Sequence, residues 1–134
     1  MAIGAPQDSG AVDYTFKAAG DLSDKQYYHM KLSGDDTVTT STAVTDLPVG
    51  VLQNKPAAAN RSAVVRVLGQ SYVSSDAGLT AGNLIGTQSD GQADAKTPGT
   101  DTTEYVTGQI IVGTGAAGDL AIAVINCIAP HRAS

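Results

Sequence analysis

The hydrophobic and polar residues of this chain alternate with a period of two wherever their pattern is regular. From Lys25 to Leu32, for example, the side chains of Tyr28, Met30 and Leu32 fall on one face, and those of their neighbours fall on the other. That period is typical of a half-buried strand and not of a helix. Similar runs occupy residues 14–17, 37–40, 49–52, 63–68, 71–73, 84–87, 105–112 and 120–128.

Short strands that follow one another every ten residues or so predict an all-β fold. We expect a compact antiparallel β-barrel or β-sandwich of about eight to ten short strands, because no stretch has a helical period of useful length. Gly69-Gln70 is expected to turn residues 63–68 back onto residues 71–73 as a hairpin. Residues 92–103 lack large apolar side chains and are expected to form a solvated connection.

Residues 47–57 form the most constrained stretch of the chain. Pro48 disfavours the helical region for Leu47, so a strand is expected to begin after it. Gly50 lies inside an apolar run, where glycine indicates a bulge, a bend or a close backbone approach. We expect Val49, Val51 and Leu52 to anchor the core. The exit loop that follows is expected to be fixed by Gln53, Asn54, Lys55 and Pro56.

The composition favours small and β-branched side chains, with fifteen Gly, one Phe and no Trp among 134 residues. Such side chains suit thin, closely packed sheets and line deep ligand clefts poorly. The formal net charge of −5 argues against nucleic acid as a direct partner, because phosphate binding needs clustered Lys and Arg. No window resembles a membrane span, and the first residues lack the pattern of a secretory signal. We therefore expect no membrane partner and synthesis in the cytoplasm.

The residues that could carry catalysis are few and scattered. His29 and His131 have no ligand partners at metal spacing, and we expect an exposed strand histidine and a tail histidine. Cys127 has no basic neighbour in sequence and is expected to fill space in a terminal strand. We predict that the protein is not an enzyme and uses neither a cofactor nor a metal.

One glycine motif suggests a cofactor loop at first sight. Residues 113–118 match the dinucleotide fingerprint letter for letter and follow a strand-like run. That site also requires a helix after the glycines, whereas residues 120–125 alternate like a strand. The motif is therefore interpreted as a hairpin loop.

The expected organisation is a single β domain over residues 14–129. Residues 1–13 are small, polar and broken by Pro6 and two glycines, so they are predicted to form a flexible N-terminal arm. Residues 130–134 are expected to form a C-terminal tail.

Five segments together resemble a known family: Gly50 to Ala57, Val65 to Gly69, Ala81 to Leu84, Tyr105 to Gly108 and Ala117 to Leu120. This combination is similar to the small head-decoration proteins of tailed bacteriophages, also called capsid cement or capsid fibre proteins. The resemblance covers residues 14–129. Its most specific part is a scaffold signature of seven residues, namely Gly50, Val51, Leu52, Gln53, Asn54, Lys55 and Pro56.

The resemblance implies a viral structural protein located in the virion, on the outer capsid surface. Such a protein decorates the expanded capsid as a homotrimer and bridges major capsid protein subunits near local threefold axes. An arm that orders on binding could add a strand to a capsid sheet edge. The candidate capsid-binding residues are those of the arm and its junction with the first strand: Ile3, Pro6, Val12 and Tyr14. The alternative is another small phage structural or adhesive module, for example one that binds glycans.

Overall fold

The computed structural model describes residues 5–7 and 9–134 of the chain. Within that part the fold is all-β and contains no helix, which confirms the predicted fold class. The strands are β1 Val12–Ala18, β2 His29–Gly34, β3 Thr37–Thr40, β4 Gly50–Leu52, β5 Ser62–Ser74, β6 Leu84–Thr87, β7 Ala93–Ala95, β8 Tyr105–Val106, β9 Gly108–Val112, β10 Leu120–Asn126 and β11 His131–Arg132.

The first five strands form a closed barrel. Their order is β1-β3-β2-β4-β5, and β5 pairs with β1 to close the ring. Only the short β1–β3 pairing among these strands is parallel. Closure removes the open sheet edges that would otherwise be free to pair with other chains.

The remaining large strands extend from the other side of β5 in the order β10-β9-β6-β7. Ser75, directly after β5, bridges to Ala93 in β7, so this second sheet curls back toward the strand from which it starts. The strands β8 and β11 pair separately as a two-stranded ribbon. The whole arrangement therefore depends on β5.

The strand β5 is 13 residues long and is shared by both sheets. Its first half pairs with β1 between Ser62 and Leu68, and its second half pairs with β10 between Leu68 and Ser74. The predicted hairpin at Gly69-Gln70 is therefore wrong. Gly69 has a φ of +115°, but the chain continues straight, and a Cβ there would lie 2.9 Å from the Cα of Ala11. The glycine marks a close approach by the N-terminal segment and not a turn.

Each sheet encloses its own apolar cluster. The barrel holds Met30, Val38, Leu52 and Val65 in its interior, all of them fully buried. The second sheet encloses a cluster that includes Val51, Val73, Ile85, Ile110, Ala121, Ala123 and Ile125. Val51 and Leu52 thus send consecutive side chains of β4 into two different cores, as strand alternation allows.

The strand predicted at Val49 is β4, which begins at Gly50, and of the three roles expected of Gly50 the structure shows the close backbone approach. A Cβ at Gly50 would lie 2.3 Å from the carbonyl oxygen of Arg66 and 2.6 Å from Val65 Cγ1. The exit loop after β4 is fixed by side chains. Asn54 donates to the Ser62 carbonyl and accepts from the Val64 amide, both at 2.9 Å. Gln53 donates to the Val51 carbonyl and to Ser71 Oγ.

Three local predictions differ from the structure. The strand expected from Lys25 begins only at His29, because Tyr27 adopts a left-handed φ of 69° in a turn. Residues 92–103 are not wholly a solvated connection, since they include β7 and the buried Lys96. The run 105–112 is divided into β8 and β9 at Thr107, whose buried hydroxyl forms a hydrogen bond with His29.

The described residues also contain strands at both expected boundaries of the β domain. Val12 and Asp13, expected in the arm, are the first residues of β1. Residues 130–134, expected to be a tail, contain β11, in which His131 pairs with Val106. Ala133 is buried, and its amide donates to the Glu104 carbonyl at 2.9 Å.

The contact at Gly50 yields a stability prediction. Replacing Gly50 by Ala should lower the free energy of unfolding by about 3 kcal/mol, because the added methyl meets backbone atoms that cannot move without separating β4 from β5. Gly115→Ala is the matched control, since a Cβ there meets nothing within 4 Å. It should change stability by less than about 0.5 kcal/mol. Urea denaturation measures both, and equal effects of the two substitutions would contradict the structure.

Candidate functional site

The predicted capsid-binding residues occupy different environments. Pro6 is half-buried, and the neighbouring Gln7 amide donates to the side chain of Gln70 at 3.1 Å. Val12 pairs with Leu68 at the start of β1 and packs against the barrel core. Tyr14 is 56% exposed. Ile3 lies outside the described residues.

The junction between the arm and the barrel is held by an ion pair. Arg66 on β5 is nearly buried, and its Nε donates to Asp13 Oδ1 at 2.8 Å while Nη2 donates to Oδ2 at 3.1 Å. Arg66 Nη1 also donates to the Gln70 carbonyl. Such a two-pronged contact fixes orientation as well as position. Asp13 thus attaches the start of β1 to the middle of β5.

The first candidate surface is an apolar groove of about 650 Å³ beside the beginning of β4, which we call the β4 groove. Leu32 and Leu47 are about half exposed at its border. The groove is lined by Lys31, Leu32, Ser33, Asp46, Leu47, Pro48, Val49, Cys127 and Pro130. It joins the barrel to the segment that follows β10.

An ion pair lies at the wall of the β4 groove. Lys31 Nζ is 3.0 Å from Asp46 Oδ2 and 2.7 Å from Thr42 Oγ1. Partial burial alone would raise the pKa of Asp46, but hydrogen bonds from the Thr42 amide, Lys31 and the Ala43 amide outweigh it and keep that pKa below its usual value. Asp46 therefore stays ionised at neutral pH, and this groove presents both charges beside apolar side chains.

Cys127 contributes only its shape to the β4 groove. Burial raises the pKa of its thiol to about 12. A thiol that remains protonated at neutral pH is a poor nucleophile and a poor metal ligand. Cys127 packs against the second core as a space-filling residue, but it lies directly after β10 and not in a terminal strand as expected.

The second candidate surface is the outer side of β10 and its two neighbours, which we call the β10 face. Ala121, Ala123 and Ile125 point into the second core, and the alternate residues Leu120, Val124 and Asn126 are exposed, whereas Ile122 between them is only 4% exposed. The pairing places Tyr72, Gln70 and Leu68 of β5 beside those outward residues on one side, and Gln109 and Val112 of β9 on the other. None of these outward side chains is charged.

Two aliphatic side chains are prominent on the β10 face. Val124 is 43% exposed, and Ile111, which a bulge in β9 leaves without a partner on β10, is 40% exposed. A shallow groove of about 290 Å³ lies next to Val124, between Leu84 and His131. Exposed apolar surface of this kind marks an interaction site when it is contiguous.

A buried polar network lies beneath these surfaces. His29 is completely buried, so the expectation of an exposed strand histidine is wrong. Its Nδ1 lies 3.1 Å from the Gly91 carbonyl, and its Nε2 lies 2.9 Å from Thr107 Oγ1. A carbonyl can only accept, so Nδ1 carries the proton and Nε2 accepts from the Thr107 hydroxyl. His29 therefore connects β2 to the turn before β7 and to the junction of β8 and β9.

Burial is the main reason that the pKa of His29 falls to about 4, since it disfavours the charged imidazole. The hydrogen bond to Gly91 opposes this shift, and the positive charge of Lys96 adds to it. Lys96 is itself buried and is held by Glu104, with Asp94 Oδ2 at 3.6 Å from its Nζ. The network therefore consists of a neutral histidine beside a paired lysine, and its hydrogen bonds link separate segments of the fold.

The described residues were compared with the requirements of a metal site, a membrane span and a dinucleotide loop. Among residues 5–7 and 9–134, no group of three or more His, Cys, Asp or Glu side chains is placed to hold a metal ion. No helix in that same part of the chain could cross a membrane. The residues 113–118 form a loop between β9 and β10, as interpreted from the sequence.

Comparison with known proteins gives one informative likeness. No model of a known protein family matches the chain, and no curated protein matches it. Among solved structures, the chain is similar to the N base of the head fiber protein gp8.5 of bacteriophage phi29, with a TM-score of 0.64 and 21% sequence identity. The match covers 87% of this chain and 95% of that chain. At this identity the likeness establishes a shared fold.

Sequence reasoning missed the β10 face and the buried network. The face could have been found from charge, because Asp119 is the only charged residue between Tyr105 and Pro130. The network carried no local signal. His29, Lys96 and Thr107 are far apart in the sequence, and only the pairing of their strands brings them together.

The buried histidine yields a prediction of pH dependence. The pKa of His29 is lower in the folded protein than its usual value of 6.5, so the unfolded chain takes up a proton first as the pH falls. Stability is therefore highest above pH 6.5 and falls toward pH 4. Between pH 7 and pH 5 the free energy of unfolding should drop by about 2 kcal/mol.

His29→Gln is the matched variant, because an amide can donate to Gly91 and accept from Thr107 without titrating. Its free energy of unfolding should stay nearly constant over the same pH range. Urea denaturation at several pH values measures both proteins. An equal loss of stability in wild type and variant would show that His29 is not the group responsible.

Proposed function

We propose that this chain is a structural protein of a bacteriophage head that decorates the outer surface of the expanded capsid. The observation that carries the proposal is the likeness of nearly the whole chain to the base of a phage head fiber protein. The sequence resemblance to head-decoration proteins points in the same direction through different evidence, namely the motif at Gly50 to Ala57. Neither depends on a catalytic residue, and we propose no enzymatic role.

In the finer form of the proposal, the protein acts as a homotrimer that bridges major capsid protein subunits near local threefold axes. The surfaces support a protein with two kinds of partner. The β4 groove mixes apolar and charged groups, whereas the β10 face is uncharged. A trimer that engages several capsid subunits at once needs only modest area in each contact, because the second and third contacts form at high effective concentration. The net charge of −5 supports a protein partner in preference to packaged nucleic acid.

Co-sedimentation tests the capsid role directly. Purified protein mixed with expanded, undecorated capsids should pellet with the particles at a saturating ratio, because the binding sites repeat over the lattice. Unexpanded shells are the control, and they should bind far less protein. Failure of the protein to pellet with expanded capsids would overturn the proposed function.

Truncation tests the arm separately. Removal of residues 1–10 leaves β1 and the Asp13–Arg66 ion pair in place and, among the described residues, removes only the exposed Gln7–Gln70 hydrogen bond, so the thermal stability should change little. If the arm binds the capsid, saturation of the particles should require a concentration of truncated protein at least about tenfold higher than that of the full chain. This corresponds to a loss of about 1.4 kcal/mol of binding free energy. Binding equal to that of the full chain would eliminate the arm, including Ile3 and Pro6, as a capsid contact.

A further inference from the structure

We propose that the β10 face is the surface through which copies of this chain associate. The inference rests on the proposed homotrimer and adds the place where its subunits meet. It begins from the side chains that alternate outward along β10 and its neighbours. These combine exposed aliphatic groups at Val124 and Ile111 with uncharged amides at Gln70, Gln109 and Asn126. Each amide also makes a hydrogen bond within the chain: Gln70 Oε1 accepts from the Gln7 amide, Gln109 Nε2 donates to the Gly82 carbonyl, and Asn126 Oδ1 accepts from the Ile128 and Ala129 amides.

Charge identifies a second copy as the occupant of this face. The chain carries a net charge of −5, so two copies repel each other wherever their charged surfaces meet. The β10 face avoids most of that repulsion, because Asp119 is the only charged residue from Tyr105 to Pro130. Interfaces between subunits are depleted of charge at their centre in the same way.

The chemistry of the face also suits association with itself. Glutamine and asparagine amides both donate and accept hydrogen bonds, so an amide of one copy can pair with a different amide of the next copy around a threefold axis. The shallow groove beside Val124 is lined by Leu84, Val106 and Gln109 and can receive an aliphatic side chain of a neighbouring copy. One surface thus offers the apolar contact and the polar partners that a repeated contact needs.

The β4 groove does not fit this role as well. Lys31 and Asp46 lie beside Leu32 and Leu47, so association through this groove would take an ion pair out of water. A capsid partner can meet such a mixed surface, since lattice contacts add up over many sites. The two surfaces are therefore assigned to different partners, with copies of the chain at β10 and the capsid at a different side.

The test compares the same charge introduced at two exposed aliphatic residues. Val124→Lys places a cation in the centre of the β10 face, whereas Leu32→Lys places it at the border of the β4 groove. Sedimentation equilibrium measures the mass in solution against the chain mass of 13.5 kDa. Wild type and Leu32→Lys should have three times that mass. The trimer of Val124→Lys should have a dissociation midpoint at a protein concentration on the order of 100-fold higher than that of wild type.

Ile111→Glu is the second variant in case Val124→Lys fails to fold, and circular dichroism checks that each variant is folded. Wild-type assembly that persists in both folded β10-face variants would overturn the inference, as would a wild-type protein that is monomeric at every concentration. Capsid co-sedimentation separates this result from the proposed function. A monomer that still binds capsids refutes the homotrimer and its β10 interface but not the capsid role, whereas an oligomer that dissociates with Val124→Lys but never binds capsids refutes only the capsid role.

Discussion

The close approach of β4 to β5 at Gly50 is the contact on which both halves of the fold depend. The Arg66 carbonyl and the Val65 side chain occupy the space that any side chain at this position would need. With the two backbones in contact, Val51 reaches the second core while Leu52 fills the barrel. The same part of β5 carries Arg66, whose guanidinium holds Asp13 and thereby the start of β1. One narrow contact thus positions the barrel, the second sheet and the base of the N-terminal segment.

Small side chains make this architecture possible. Alanines at positions 63, 93, 121 and 123 are fully buried, and the cores they line contain no tryptophan. Thin cores let two curled sheets share one long strand, but each buries less apolar surface than a single large core would. Buried hydrogen-bonded groups such as His29 and the Lys96–Glu104 pair add specific links between segments that the thin cores do not join. Their cost is sensitivity to acid, because the neutral imidazole must stay neutral.

Much of the fold could be predicted from local patterns, and the limits have physical causes. Alternation identified most strands, and the prolines around Gly50 correctly indicated a short buried strand. For the glycine itself the sequence left a bulge, a bend or a close backbone approach open. The sequence could not distinguish the two uses of glycine within a strand. At Gly69 the missing side chain admits Ala11, whereas a hairpin would have used the same residue for a turn. Short apolar runs around Ala93 and His131 were too weak to signal strands, since their order comes from pairing with distant segments.

The exposed side of a strand could not be predicted from local sequence either. Alternation on β10 predicted a strand but not which side is covered, because that depends on the pairing with β5 and β9. Cryo-electron microscopy of expanded capsids decorated with the purified protein tests the combined account most directly. The account predicts density at local threefold positions in which three copies turn their β10 faces, with Val124, toward one another. Isolated single copies, or copies whose β10 face lies against the capsid shell, would contradict it.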